Sequence, residues 1–547
     1  MRWRILVCAG VVSGGAWAQL PPRVGLSGAQ RELSLRQAVE LALEKNLDIE
    51  IERRSVDLAE ESLRGARGAF DPAFRWLPSL ESRNLPTSSV LQGGGAGLLT
   101  ENFHAQNFQL RQRTPWSGLQ LGFDFDNTRS STSNVFSSLN PVITSRMFLR
   151  LTQPLLRNRS TDRERAEIAI RQKRRELSGL QLEARVIEVV TRVEEAYWEL
   201  VFARRDVEVK NEAIGLAREQ LEMNRRMAAA GTLAPVEIVA AEAELERRRG
   251  DLFAARLRLT TAENAVKTLI AEGRESRWWE EEILPATAEA AEPPLTPLSD
   301  AIRAALQRRP ELRALGTQGQ HLEINRRLAE NQTRPAVNLV AAYGQVGLAG
   351  SVRSEDNPFQ SLNEPLFNRV NELSRGQGLA PLSPPSFGSL PPALIGSYGT
   401  TLANLFDTRF RTAQVGLEFD LNLRNRAAES ALAQSGIEKR RLQNETTRTE
   451  QAIEAEVRNA LEALETARER LKAARAGVRA RRENLESETR RYQNGESTNF
   501  LVLTRQNEYA ESRGAEVRAS ADLSQAAARY QRAVGGVLEA WRIRVPH

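Results

Sequence analysis

Residues suited to catalysis or metal binding are few in this chain of 547 residues. Its three histidines fall in a predicted loop (His104), on a predicted helix (His321) and at the last position (His547). A zinc site needs His, Cys or acidic ligands at short, regular spacings, and the sequence contains no such spacing. Isolated histidines are usually surface or core residues, so we expect no metal site and no cofactor.

Adjacent carboxylates and a glycine run are the other features that could carry chemistry. Glu194-Glu195 and Glu280-Glu281-Glu282 could transfer protons, but in Glu- and Arg-rich helical stretches such residues are usually charges on the helix surface. Gly93-Gly94-Gly95 does not follow a strand and open a helix, as a phosphate-binding loop would. The sequence also has no nucleophile elbow. We therefore predict that the protein is not an enzyme.

The charge balance does not favour a nucleic-acid partner. Lys and Arg number 76 against 70 Asp and Glu, and the Arg residues alternate with Glu along the helical stretches. Such alternation is typical of a solvated, salt-bridged helix surface rather than of a surface that binds nucleic acid.

Residues 1–18 have the features of a cleaved signal peptide. Arg2 and Arg4 precede an apolar run at residues 5–15, and Ala16-Trp17-Ala18 provides a small-residue cleavage site. The apolar run is too short to cross a membrane as a helix, and no later stretch approaches about eighteen apolar residues. We therefore expect an exported protein, and its only cysteine lies in the segment that is removed.

Two long helical hairpins, at residues 161–272 and 427–541, dominate the chain. Ala, Leu, Glu and Arg fill most of their positions, and all four are strong helix formers. Residues 427–492 contain no proline, and at ~1.5 Å per residue they form a helix roughly 100 Å long. The hairpins turn at residues 230–235 and 494–499, each around a glycine suited to the left-handed end of a helix.

The two halves of the chain match at a nearly constant offset of about 264 residues, which indicates an internal duplication. Asp71-Pro72-Ala73 corresponds to Arg334-Pro335-Ala336, and Arg157-Asn158-Arg159 corresponds to Arg424-Asn425-Arg426. Composition alone would not align these landmarks in the same order. The predicted segments are a first repeat (19–272), a linker (273–297) and a second repeat (298–541).

Each repeat opens with a helix and continues with strands. The helices are predicted at residues 35–68, after the cap residue Ser34, and at 298–334. Apolar and polar residues then alternate in segments of about ten residues, which is the pattern of membrane-barrel strands, although a soluble sandwich alternates in the same way. The segments are 73–80, 106–113, 118–128 and 146–155 in the first repeat, and 336–346 and 412–423 in the second. A Pro-, Gly- and Ser-rich stretch at 347–404 is predicted to be a surface loop.

The mature chain resembles the TolC-like outer membrane efflux proteins over essentially its whole length. The local matches are LTQPLL at residues 151–156, VGLEF at 415–419 and the two Gly-centred turns. Each motif is weakly specific, whereas their order, spacing and duplication are strongly specific. The resemblance implies an α+β membrane protein, a homotrimer whose β-barrel lies in outer-membrane lipid and continues as a periplasmic α-barrel. It also implies a passive exit duct for efflux or type I secretion.

In this family a periplasmic adaptor and an inner-membrane pump are the partners, and they dock at the helical tips. By position, the docking residues here would be Gly231, Thr232, Leu233, Gly495, Ser497 and Thr498. Oligomerisation is also needed on physical grounds, because a protomer with two strand pairs cannot close a barrel, which needs about eight strands. The alternative is a periplasmic coiled-coil scaffold or envelope tether without a channel, which explains the long helices but not the alternating strands.

The chain departs from the family pattern in two places. The TolC channel has two acidic residues after the second tip that form rings at the periplasmic aperture, and by position they fall on Leu501 and Thr504. We therefore predict a hydrophobic constriction by Phe500 and Leu501 instead, which would gate by dewetting. The first repeat also has four strand segments, whereas the family's usual count is two per repeat and twelve in the trimer. Either the barrel is larger, or one hairpin lies outside its wall.

Overall fold

The computed structural model describes residues 23–88, 97–286, 296–353, 358–383, 390–407 and 409–545. The predicted signal peptide, the Gly93-Gly94-Gly95 run and His547 lie outside these ranges. The chain divides into two compact units, of which the first holds Met1–Ala59, Arg175–Gln318 and Leu442–His547 and the second holds Glu60–Arg174 and Gly319–Arg441. Within the described ranges, none of the helices has an apolar stretch long enough to cross a membrane.

The helices follow the runs of helix-forming residues in the sequence. In chain order they are α1 (Leu35–Lys45), α2 (Leu47–Arg67), α3 (Arg163–Ala229), α4 (Val236–Ile270), α5 (Leu298–Arg308), α6 (Pro310–Gln332), α7 (Pro358–Gly376), α8 (Tyr398–Phe406), α9 (Arg426–Gln493), α10 (Asn499–Ala533) and α11 (Val537–Trp541). The two longest, α3 and α9, have 67 and 68 residues. Ser34 caps α1 with a capping box, as its sequence position predicts.

The helices predicted at 35–68 and 298–334 are each broken in two, which corrects the prediction. At Asn46 the backbone is extended, and the side chain accepts a hydrogen bond from the Asp48 amide at 3.0 Å and so starts α2. At Arg309 the backbone is also extended, because Pro310 disfavours the helical conformation in the residue before it. Pro310 is therefore a signal in the sequence from which this second break could have been predicted.

Two apolar cores hold the helices of the first unit together. One joins α1, α3 and α4 around Val189 and Leu200, and the other joins α5, α9 and α10 around Val457 and Leu464. These four side chains are at most 1% exposed. Burial on this scale is the main favourable contribution to helix packing.

Two of the short helices, α1 and α5, end against the ends of the long hairpins. Asn46 after α1 donates to the Leu269 carbonyl in the last turn of α4 at 2.9 Å. Gly535 after α10 lies so near the end of α5 that a Cβ atom there would be 3.0 Å from the Arg308 Cβ. The final segment stays with the helices, because α11 returns and buries Val537 in the core of α1, α3 and α4.

A pair of short strands in the first unit was missed by the sequence analysis. β1 (Gln30–Leu33) runs parallel to β6 (Glu282–Pro285). Four residues are too few to show a clear alternation of apolar and polar positions. Glu282 is therefore not a charge on a helix surface, since it lies on β6 and binds Arg23 at 2.7 Å and Arg204 at 3.1 Å.

The second unit contains one antiparallel sheet of six strands, in the order β2-β3-β4-β5-β7-β8. The strands are β2 (Ala73–Pro86), β3 (Leu98–Arg113), β4 (Gln120–Thr132), β5 (Leu139–Pro154), β7 (Ala336–Val352) and β8 (Arg411–Asp420). All four predicted segments of the first half therefore belong to one sheet. The strands are longer than predicted in most cases, so His104 lies on β3 rather than in a loop.

The stretch predicted as a surface loop at 347–404 is partly regular structure. β7 continues to Val352, and α7 and most of α8 lie within the stretch. α8 packs on the sheet, where Asn404 donates to the Leu348 carbonyl at 2.9 Å and Tyr398 donates to the Asn127 side chain at 2.9 Å. Its Thr401 is fully buried. The compositional bias of the stretch concealed a helix that only its contacts with the sheet reveal.

Candidate functional site

The two hairpin turns have the same backbone geometry. Gly231 and Gly495 have φ values of +76° and +79°. At the first turn the Thr232 amide donates to the Met227 carbonyl at 3.0 Å, and at the second the Glu496 amide donates to Arg491 at 2.9 Å. Both are Schellman motifs, which need a left-handed residue that glycine supplies without strain.

The predicted docking residues lie together at these turns within the first unit. Gly231, Thr232, Gly495 and Thr498 are exposed, and Leu233 and Ser497 are half-buried. Thr498 is the N-cap of α10, and its side chain accepts from the Leu501 amide. Ser497 instead donates to the Glu488 carboxylate, and Pro235 stands at the N-cap position of α4. The turns thus present glycine and short polar side chains to solvent.

A buried polar network below the turns ties the two hairpins to each other. Asn499 accepts from Gln220 at 3.0 Å and from Asn224 at 3.0 Å, and it donates to the Glu237 carboxylate at 2.8 Å. Tyr492 donates to the Asn224 oxygen at 3.0 Å. Burial and the nearby Glu237 carboxylate raise the pKa of Tyr492. Because buried amides are costly unless paired, this network fixes how the tips sit together.

This network was not predicted from the sequence. The Asn499 side chain is 3% exposed and points into the hairpin interface. Gln220 and Asn224 lie one helical turn apart on α3, where an isolated sequence gives no sign that two amides face inward. Only the contacts across hairpins identify them.

The aperture candidates lie in the first two turns of α10. Phe500 is 72% exposed and Leu501 is 37% exposed. Thr504 is half-buried, and its hydroxyl donates back to the Phe500 carbonyl at 2.8 Å. On the neighbouring hairpin Val236 is 67% exposed. In the single chain the end of this hairpin pair therefore exposes large apolar side chains beside the polar residues of the turns.

The six-stranded sheet of the second unit has one apolar and one polar face. The ladder partners on the apolar face include Phe74, Leu110, Phe123, Leu149, Tyr343 and Ala413 in turn across the six strands. The rings of Trp76 and Phe108 stack at 6.4 Å, as do those of Phe108 and Phe125. On the other face Arg111 binds Asp124 at 2.5 Å. This arrangement suits a wall between lipid and water.

A comparison with protein families identifies the chain. Residues 38–272 and 392–536 match the family described as Outer membrane efflux protein. The chain belongs to this family. The family and the similar solved structures are channels rather than enzymes, and this outer membrane efflux protein is accordingly an outer-membrane efflux duct.

Solved structures share the fold of this outer membrane efflux protein at low sequence identity. The outer-membrane channel OprN is 15% identical with a TM-score of 0.60, and the match covers 92% of this chain and 90% of that chain. The CmeC outer membrane channel of Campylobacter jejuni is 16% identical with a TM-score of 0.61, and the match covers 92% of this chain and 85% of that chain. The outer membrane protein VceC of Vibrio cholerae is 15% identical with a TM-score of 0.60, and the match covers 92% of this chain and 96% of that chain. A comparison with curated proteins finds no match.

One acidic residue of this outer membrane efflux protein was misjudged from sequence. Glu194 was expected on a helix surface, but it is 9% exposed, and Trp541 of α11 donates to its carboxylate at 2.6 Å. Burial raises the pKa of Glu194 to about 7, the Trp541 hydrogen bond lowers it, and the neighbouring Glu195 charge raises it. Glu194 is thus a buried structural residue with a raised pKa rather than a solvated charge.

Proposed function

We propose that this protein is a passive exit duct that works as a homotrimer. Three sheets close one β-barrel in the outer membrane, and the long hairpins of three copies surround a continuing α-barrel in the periplasm. The observation that carries the proposal is a six-stranded sheet with an apolar face across every strand and no partner at either edge within the described residues. Such edges need neighbours, since lipid offers no hydrogen bonds.

The same proposal assigns docking to the hairpin tips. The duct has no energy source of its own, so an inner-membrane pump must supply cargo through a periplasmic adaptor. The docking residues are Gly231, Thr232, Leu233, Gly495, Ser497 and Thr498, which lie at the turns. The exposure of Gly231, Thr232, Gly495 and Thr498 supports this assignment. The cargo is set by the pump and the adaptor.

The duct is tested first by extraction and mass. Protein in purified outer membranes should resist carbonate and need detergent, and light scattering should then give about three protomers. After reconstitution in planar bilayers it should conduct ions. Release into carbonate as a monomer or dimer would overturn the duct and favour the periplasmic scaffold.

Docking is tested by site-specific photo-crosslinking in cells. A photoreactive residue at Thr232 or Thr498 should cross-link to a periplasmic adaptor, identified by mass spectrometry. The matched control is Leu257, which is 69% exposed on α4 and lies away from the turn. Adaptor products from Leu257 but not from the tips would contradict the docking assignment and leave the duct intact.

A further inference from the structure

The hairpin β2–β3 extends the sheet without a break in register. Every residue from Ala73 to Pro86 pairs with a residue of β3, and β3 pairs in turn with β4. Phe74 and Trp76 continue the apolar face, and they are 68% and 55% exposed. A hairpin outside a barrel wall would have no reason to maintain the same two faces.

The two edges of the sheet are β2 and β8, and all of their residues are exposed. Beyond these edges the described residues provide no pairing strand. Edge strands in soluble proteins usually carry features that block pairing, such as inward charges, prolines or bulges. β2 carries one proline inside the strand, Pro78. Both edges nevertheless expose large apolar side chains, including Leu80 at 78% and Val415 at 76%.

The directions of the edge strands suit pairing between copies. Neighbouring strands alternate along the whole sheet, so β2 and β8 run in opposite directions. β2 of one copy can therefore add to β8 of a second copy as another antiparallel pair. The contact is head-to-tail, and such contacts form a closed ring when the rotation between successive copies closes.

From these observations we propose that β2–β3 is part of the barrel wall and that β2 pairs with β8 of the neighbouring copy, Ala73 opposite Asp420. The hairpin thereby forms the seam between protomers. With the three copies of the proposed function, on which this inference rests, the ring has eighteen strands. Because barrel diameter grows roughly linearly with strand number, it is about half as wide again as a ring of twelve.

The register follows from the observed ladder. Stepping from Ala73 through successive partners leads across Arg111, Gly122, Arg150 and Ala342 to Gln414. If Ala73 of the next copy lies opposite Asp420, the last residue of β8, it is displaced by six residues from Gln414. The stagger is then about six residues over six strands. With ~3.3 Å per residue and ~4.8 Å between strands, the strands tilt by about 35°, within the range of outer-membrane barrels.

Other registers fit less well. A slip of one residue would turn the apolar face of one copy to the polar face of the next. A two-residue slip in one direction lowers the tilt to about 25°, which is outside the usual range. A two-residue slip in the other direction gives a tilt of about 43°, which is within the usual range, so charge must decide between this register and the proposed one.

Charge favours the register with Ala73 opposite Asp420. It places Arg75 opposite Glu418 on the polar face, and Trp76 opposite Leu417 on the apolar face. Arg75 has no ion pair among the described residues, and Glu418 has one long contact, to Asn338 at 3.4 Å. The two-residue slip would instead place Arg75 opposite Asp420, which already binds Arg157 at 2.9 Å.

Disulfide cross-linking in the assembled protein tests the seam, with Cys8 replaced by Ser. Directly opposed residues in an antiparallel pair have Cα atoms about 4.5–5.5 Å apart, which suits a disulfide. The double variant Arg75→Cys/Glu418→Cys should form covalent dimers and trimers on oxidation. The control Arg75→Cys/Gln414→Cys, four residues out of register on the same face, should give at least tenfold less.

The outcomes separate the seam from the duct. Cross-linking of Arg75→Cys/Asp420→Cys without that of Arg75→Cys/Glu418→Cys would overturn the register. No cross-link in any pair, from a protein that still has the mass of a trimer and conducts ions, would place the hairpin outside the wall and leave the proposed function standing. Absence of a trimer before oxidation would instead contradict the proposed function.

Charge exchange provides a test without cysteine. Arg75→Glu should reduce the fraction of oligomer that survives mild heating in detergent severalfold, because it faces Glu418 of the next copy. The double variant Arg75→Glu/Glu418→Arg should restore it. Failure of the double variant to exceed the single one would contradict the pairing.

Discussion

The side-chain amide of Asn224 donates to the side-chain oxygen of Asn499 at 3.0 Å, and this contact joins the two hairpins just below their turns. The two residues are 275 positions apart in the chain. Asn224 is fully buried and Asn499 nearly so. Amides in this setting specify one arrangement of the helices, because a shift along the helix would leave several polar groups unpaired.

Removal of the Asn499 amide should loosen the hairpin tips. Asn499→Ala removes one acceptor each from Gln220 and Asn224 and one donor to the Glu237 carboxylate, and we expect a local cost of about 1–3 kcal/mol. Hydrogen exchange of amides at 490–506 in the detergent-solubilised protein measures it. The control Asn494→Ala, at an exposed turn position, should leave exchange unchanged. Equal exchange rates in both variants would contradict the role of the network.

Two glycines of the same hairpin should respond oppositely to alanine. Gly495 has φ +79°, so Gly495→Ala should destabilise the tip by roughly 1 kcal/mol. Gly477 lies inside α9, where alanine should stabilise the helix by about 0.5–1 kcal/mol. A Cβ meets no atom within 4 Å at either position, so backbone conformation decides the difference. Thermal melting followed by circular dichroism measures both, and a Gly495→Ala variant as stable as Gly477→Ala would refute the argument.

Glu194 should make stability depend on pH. Its folded-state pKa of about 7 lies above the ordinary value of 4.5, so the folded form holds its proton between these values. The stabilisation is complete below pH 4.5 and is lost as the pH rises through 7. Glu194→Gln keeps the acceptor for Trp541 but removes the charge.

Melting temperatures at two pH values measure this effect. The advantage of Glu194→Gln over the wild type should be larger at about pH 8 than at about pH 5, by at most about 3 kcal/mol. Glu195→Gln, at the neighbouring and more exposed position, should show a smaller change. A difference that is independent of pH would show that Glu194 titrates normally.

The apolar aperture can be tested by introducing charge. If Phe500 and Leu501 form the constriction, Leu501→Asp should hydrate it and increase single-channel conductance and cation selectivity severalfold. Val236→Asp is the control, because Val236 corresponds to Phe500 in the other hairpin, is 67% exposed and is not an aperture candidate. Unchanged conductance and selectivity in Leu501→Asp would place the constriction elsewhere.

Local signals in the sequence accounted for much of the fold. Gly231 and Gly495 marked turns because left-handed backbone is costly for other residues. The Ser34 cap and the alternation in β4 and β5 were also visible in the sequence, because each depends only on neighbours within a few positions. The break at Pro310 was also encoded locally, although the pattern of the whole helix obscured it.

The sequence by itself determined the long helices, their turns and the two-faced strands, because propensity and apolar period act over short stretches. Only the tertiary structure decided that β2 and β3 continue the sheet, that Asn224 meets Asn499, and that Glu194 is buried beneath Trp541. These features depend on residues far apart in the chain that satisfy each other's hydrogen bonds or exclude water together. Pairing and burial of that kind are properties of the folded arrangement, and no short stretch carries them.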